Sequence, residues 1–156
     1  MFDHAAYDAH ESVHVFHDAD TGLKAVIALH STALGPAAGG CRMWNYADSD
    51  AMVRDALRLS QGMSYKNAMA NLPLGGGKAV IWGNARTDKT PEMFRAFGRM
   101  VESLQGRYWT AEDVGLTPDD LAIAREETKY VAGLDAGEAA SGDPSPVTAE
   151  GVYRGI

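Results

Sequence analysis

Twice in this chain a threonine-proline pair opens an amphipathic run soon after a short apolar stretch, at Thr90-Pro91 and at Thr117-Pro118. Threonine caps the free amide groups of a helix start, and proline suits the first helical position, where its missing N–H costs nothing. The stretches upstream, "GGGKAVIWG" and "RYWTA", are short, apolar and rich in β-branched and aromatic residues, as strands are. A chain that alternates strand and helix in this way must stack its helices on a sheet, because parallel strands need helical crossovers. The fold class expected is therefore α/β, a three-layer α/β/α domain with a largely parallel sheet.

The rest of the chain extends that pattern. "SVHVFHD" (Ser12–Asp18) and "GLKAVIALH" (Gly22–His30) are two β-rich runs joined by the turn residues "DADTG", which predicts an antiparallel hairpin at the sheet edge. "LGPAAGGCRMW" reads as a glycine-rich loop. From Asp50 to about Met69, Val53, Ala56, Leu57, Ser60 and Met63 recur at three- and four-residue spacing and predict a helix with one apolar or small-residue face. "GGGKAVIWG" reads as a loop entering a short buried strand. Met93, Phe94, Phe97, Met100, Val101 and Leu104 make the stripe of the next helix, which Gly106 ends. The helix begun at Thr117 is expected to run to about Thr128. "AGLDAGEAASGDPSP" reads as a loop, and Ser145-Pro146 starts a last amphipathic run that reaches Ile156 without a stop signal, which reads as a cut rather than a natural terminus.

Composition narrows the function classes. With 156 residues and 46% hydrophobic content the chain can bury one real core. A net charge of -7 argues against nucleic acid or an anionic membrane surface as partner. No apolar run approaches the roughly 20 residues of a membrane helix, and "MFDHAAYDAHESV" lacks the pattern of a secretory signal. A single cysteine, Cys41, cannot form an internal disulfide and reads as a buried small hydrophobe. His4, His10, His14, His17 and His30 show no metal-ligand spacing and read as surface or edge-strand residues, so no metal is expected. Glu126-Glu127 reads as a solvated helix face. A cytoplasmic location is the expectation.

The glycine triplet before Lys78 raises the question of chemistry. A P-loop would need glycine at position 72 and Ser or Thr at 79, where this chain has Leu72 and Ala79. A dinucleotide fingerprint on Gly75 and Gly77 fails at Val80. Two readings stay open on the residues alone. One is a tight loop with a surface lysine. The other is a cleft in which glycines let backbone approach a small ligand, while burial and a second cation strip Lys78 of proton affinity. Lys66 is the candidate second cation, and Asp113 the candidate carboxylate, at the C-terminal end of a strand where α/β sheets bind ligands.

"GPAAGGCRMW", "LRLSQGMSYKNAMANLPLGGGKAVI", "RYWTAEDVG" and "SGDPSPVTAEGV", in this order and over nearly the whole chain, resemble the successive motifs of the Glu/Leu/Phe/Val dehydrogenase family, closest to its leucine branch. The resemblance implies an oxidoreductase that deaminates an L-amino acid to its 2-oxo acid and ammonia with NAD. It also implies that residues 1–145 form a substrate-binding and oligomerisation domain of a homo-oligomer. Residues 146–156 would then start the helix leading to an NAD-binding domain absent from this chain, so that the fragment alone would be inactive. By the same resemblance Lys78 activates water, Asp113 shuttles a proton to and from the substrate nitrogen, and Lys66 pairs with the substrate α-carboxylate. Gly39 and Gly40 lie against the substrate, Met63 lines its pocket, and Pro144, Ser145 and Thr148 meet substrate and nicotinamide. Ala111, two residues before the aspartate, favours a branched-chain substrate. Ala38 stands where leucine-type members read "GPALGG" and would widen the pocket, so a phenylalanine- or tryptophan-type enzyme is the first alternative. A non-catalytic amino-acid-binding or assembly module is the second.

Overall fold

The computed structural model describes residues 1–133 and 145–155. Five strands, β1 (Ser12–Asp18), β2 (Leu23–Ser31), β3 (Ala37–Trp44), β4 (Gly75–Trp82) and β5 (Tyr108–Glu112), form one sheet in the order β1-β2-β4-β3-β5. β3 pairs in parallel with both β4 and β5, whereas β2 pairs antiparallel with β1 and β4. β2 alone is therefore reversed, and the other four strands run one way. The expected α/β layering, with an antiparallel edge hairpin on a largely parallel sheet, is what the chain adopts. The hairpin turn forms where its residues demand: Asp18 Oδ1 accepts the amides of Asp20 and Thr21 at 3.1 Å each, and Gly22 takes φ +72°.

Helix α1 (Ser49–Met69), capped by Asp48 at the Ala51 amide, crosses from β3 to β4. Helix α2 (Pro91–Ser103), capped by Thr90, crosses back from β4 over β3 to β5. The two crossovers step across the sheet in opposite directions, so right-handed connections put their helices on opposite faces. Met52, Ala56 and Leu57 of α1 accordingly pack with Val26, Ala28 and Val80 on one face. Phe94, Phe97 and Val101 of α2 pack with Ile27, Cys41, Ile81 and Tyr108 on the other, joined by Leu121 of α3 (Pro118–Arg125). α3 begins with the capping box expected of "TPDD", in which Thr117 and Asp120 bond each other's backbone amides. It stops at Arg125, short of the expected Thr128. Where α2 and α3 meet there is no room for a side chain, since a Cβ on Gly98 would lie 2.3 Å from the Ala124 carbonyl oxygen. Residues 130–132 lie along the outer edge of β5, with Thr110 donating to the Tyr130 carbonyl at 3.0 Å. Helix α4 (Ser145–Arg154) exposes Val147, Val152 and Tyr153.

Two expectations fail in one way. The glycine-rich stretch before Trp44 is not a loop but β3, at the heart of the parallel part of the sheet. The glycine triplet is not a loop either, but the first three residues of β4. Composition reads glycines as breakers, yet none of Gly39, Gly40, Gly75, Gly76 and Gly77 has the positive φ that a turn would require. Crowding is the reason they are glycine. A Cβ on Gly76 would sit 2.2 Å from the Ser64 amide nitrogen of α1, and one on Gly77 would sit 2.7 Å from the Tyr108 ring. Glycines in a strand interior mark such close approaches.

Candidate active site

Lys78 sits in the middle of β4, between Ala28 of β2 on one side and β3 on the other. It is only 4% exposed. Its Nζ lies 3.1 Å from Asp113 Oδ2, just past the end of β5. Arg42 of β3 donates through Nε to that same oxygen at 2.9 Å. Arg42 Nη1 reaches Asp55 of α1 at 3.1 Å, and the Tyr46 hydroxyl donates to Asp55 Oδ2 at 2.7 Å. The result is a half-buried network of two carboxylates and two cations, tying β3, β4, the end of β5 and α1 together.

Electrostatics follow from that arrangement. Burial lowers the proton affinity of Lys78 below the ordinary lysine range; Asp113 pulls it back up in part, and Arg42 pushes it down further. Burial works against ionising Asp113, but the Lys78 and Arg42 charges outweigh it and hold the carboxyl below its ordinary range. Asp113 is thus a carboxylate near neutral pH, beside an amine of reduced proton affinity. The Tyr46 hydroxyl, pushed up by burial and by its bond to Asp55, stays protonated.

The other residues singled out in the sequence divide. Gly39 and Gly40 are buried in β3, and a Cβ on Gly40 would lie 2.9 Å from the Cβ of Asp113. One on Gly39 would meet the Gly77 carbonyl oxygen at 1.9 Å and the Met63 side chain at 2.9 Å. Lys78, Asp113, Gly39, Gly40 and Met63 are therefore neighbours. Ala111 pairs with Gly40 across the β3–β5 ladder and is half-buried. Ala38 pairs with Gly76 and Trp109 and is half-buried too. Lys66 lies near the C-terminal end of α1, is exposed, and has no ion pair among the described residues. Arg42 is a cation beside Lys78 that the sequence reading did not name, sharing a carboxylate with it. Thr148 is exposed on α4, and nothing is described of the Ser145 side chain. Pro144 lies outside the described residues.

Sequence reasoning gave no role to Arg42, Asp55, Tyr46, Asn67 or Tyr108. Asn67 is buried and donates to the Gly75 carbonyl at 2.6 Å, which holds α1 against the start of β4. The Tyr108 hydroxyl donates to the Gly39 carbonyl at 2.6 Å. A signal for Arg42 was present, since a lone arginine inside "GGCRMW" needs a buried partner once that stretch is a strand. His10 also departs from expectation. It is 4% exposed, with Nε2 at 3.0 Å from both the Leu57 carbonyl oxygen and Ser60 Oγ, and burial lowers its proton affinity. Cys41 is fully buried, and burial pushes its thiol far up, in keeping with a small hydrophobe. Among the described residues no cluster of His, Cys, Asp and Glu is arranged to hold a metal ion. None of the helices there is long and apolar enough to cross a membrane.

Beside the network lies a cleft of about 710 Å³, lined by Arg42, Trp44, Tyr46, Asp55 and Val114 among others. Neither Lys78 nor Asp113 lines it; Arg42 and Asp55 are the members of the network that do.

The fold is a layered sheet that carries a buried amine–carboxylate pair against bare glycine backbone. The family model for the Glu/Leu/Phe/Val dehydrogenase dimerisation domain matches residues 10–130, and the chain belongs to that family. It is 60% identical over 139 residues to a leucine dehydrogenase of Bacillus subtilis (strain 168), covering 89% of this chain and 38% of that protein. It is 52% identical over 147 residues to a phenylalanine dehydrogenase of Caldalkalibacillus thermarum (strain TA2.A1), covering 94% and 40%. The crystal structure of L-tryptophan dehydrogenase from Nostoc punctiforme superposes with a TM-score of 0.79 at 47% identity, covering 95% of this chain and 41% of that one. The chain thus spans about two fifths of the length of the relatives it matches.

Proposed function

We propose that this chain is the substrate-binding part of an NAD-dependent dehydrogenase that converts a branched-chain L-amino acid reversibly to its 2-oxo acid and ammonia. The observation that carries the reading is the buried Lys78–Asp113 pair at 3.1 Å, set against the glycine backbone of β3 in a member of this family. Residues 1–145 would form the substrate and assembly domain, with 146–156 leading into a cofactor domain. The name of the matched family model supports a homo-oligomer. A cytoplasmic location fits a substrate of central metabolism and the buried, unpaired Cys41.

No glycine fingerprint follows any of the five strands, so Pro144, Ser145 and Thr148 would meet the nicotinamide only at the edge of this chain. The steps that this chain's own residues perform are at the amino-acid end. Neutral Lys78 takes a proton from water as it attacks the imino carbon, and the resulting ammonium stabilises the developing carbinolamine oxygen. Asp113 exchanges a proton with the substrate nitrogen. Lys66, free of any described carboxylate partner, receives the α-carboxylate, while Met63, Ala38 and Ala111 border the side chain.

The complete protein should produce NADH with L-leucine and L-valine, and far less with L-phenylalanine, L-tryptophan or L-glutamate. An apolar pocket discriminates by only ~1–3 kcal/mol per methylene, so this preference rests on few residues. Preference for phenylalanine or tryptophan would move the weight to Ala38, a reading that the relatives named above also support. No NADH with any of the five would overturn the enzyme reading and leave an amino-acid-binding or assembly module.

A further inference from the structure

We propose that Arg42 is a positioning residue, holding Asp113 Oδ2 against Lys78 and sharing with Lys78 the neutralisation of that carboxylate. The inference rests on the roles given above to Lys78 and Asp113. Its geometric basis is the convergence of two cations on one oxygen: Arg42 Nε at 2.9 Å and Lys78 Nζ at 3.1 Å both reach Oδ2. Among the described residues Oδ1 takes no hydrogen bond, so the carboxylate is pinned by one oxygen and offers the other. Arg42 is itself held from behind. Asp55 accepts from Nη1 at 3.1 Å, and Tyr46 fixes Asp55 by its hydroxyl at 2.7 Å. Arginine suits this post, because its planar fork can serve two carboxylates at once and keeps its charge at every working pH.

Charge balance gives the arrangement a consequence. Two cations and two carboxylates cancel while Lys78 is protonated. When Lys78 gives up its proton, Arg42 still faces both Asp113 and Asp55, so neither carboxylate is stranded without a cation. Without Arg42, Lys78 would be the only cation in the network for two carboxylates, and their attraction would hold its proton in place. The groups around Lys78 agree with this account. β3 brings Arg42 and the Cys41 thiol, the end of β5 brings Asp113, and α1 brings Asp55. α1 also carries Arg58, Tyr65 and Lys66, all exposed. β2 pairs Ala28 with Lys78, and its His30 is bound to Ser64 Oγ and Asp8. Lys24 of β2 lies over the Trp82 ring.

The test is the titration of Lys78 in the full-length protein, followed by NMR of isotopically labelled lysine side chains with the Lys78→Ala protein as the assignment control. Arg42→Gln should raise the Lys78 midpoint by about one pH unit, equivalent to a tenfold change in proton affinity. Arg42→Lys, which keeps the charge, should restore most of the shift. Asp55→Asn, which removes a negative charge and leaves the cations, should move the midpoint the opposite way. In the active enzyme the acidic limb of kcat/KM should follow Lys78, upward for Arg42→Gln and downward for Asp55→Asn. A folded Arg42→Gln protein whose Lys78 titrates as in the parent would overturn the proposal and leave Arg42 a strut. If Arg42→Gln does not fold, Asp55→Asn decides, and an unmoved midpoint there overturns it equally. The NMR midpoint needs no turnover. Shifts in an inactive protein would keep the Arg42 role and sink the dehydrogenase reading, whereas activity with unmoved midpoints would do the reverse.

Discussion

Lys78→Ala should lower turnover of the complete protein by roughly 10²–10⁴-fold, the range expected when a general base is removed, while leaving the fold in place. Removing one partner of a buried ion pair usually destabilises strongly, because it strands the other charge. Asp113 is not stranded here, since Arg42 still donates to its Oδ2 at 2.9 Å. The loss should therefore fall on kcat and not on folding. Steady-state kinetics with L-leucine and NAD, set beside a circular-dichroism melt, separates the two. Near-parental turnover would remove Lys78 from the chemistry, and a collapsed melt would show that the lysine is needed first as a structural counter-ion.

Gly75→Ala should destabilise the protein by more than about 4 kcal/mol, in the range reserved for severe steric or burial errors. A Cβ there would sit 2.0 Å from the Ser31 carbonyl oxygen and 2.9 Å from that of Gly35. Both are backbone atoms, and one of them closes the β2–β4 ladder at its bulged end. No rotamer change relieves such a clash, so the strands must part. Gly62→Ala makes the paired control, because Gly62 lies inside α1 with nothing within 4 Å of a new Cβ. It should stabilise by about 0.5–1 kcal/mol through the better helix propensity of alanine. Urea denaturation of the two variants beside the parent reads both signs in one experiment. If Gly75→Ala melts with the parent, strands β2 and β4 can part without cost, and the crowding account of the triplet is wrong.

What was legible in the sequence was whatever is local. The Thr-Pro caps, the stripe of α2, the "DADTG" turn and the layered class all depend on residues a few positions apart, and all are present. What escaped depends on distant neighbours. β3 and the start of β4 were hidden because glycine has no side chain to show strand periodicity. The reason for glycine there is the backbone of another strand or helix, dozens of residues away. Arg42 escaped for a similar reason: its partner Asp113 is 71 residues further on. The reading of the glycines therefore changes. They do not form a loop before Lys78; they let strand, helix and tyrosine ring close in around β4. That Lys78 and Asp113 would meet was a guess from a glycine triplet and a strand end, and the structure pairs them at 3.1 Å; the motif resemblance gave Lys66 a role that its own surroundings do not advertise.

Lys78 stands on a strand paired along both edges, by β2 and by β3, with α1 above and the α2 layer below. Such backbone exchanges its amide hydrogens only when the whole domain opens. The Lys78 amine is thus mounted on a strand that should open slowly. If Lys78 does the chemistry proposed for it, the motion that admits a small molecule should come from the cleft rim around Trp44, Tyr46 and Val114 and not from β4. In that reading the lysine is a fixed anvil, and what strikes it has to move.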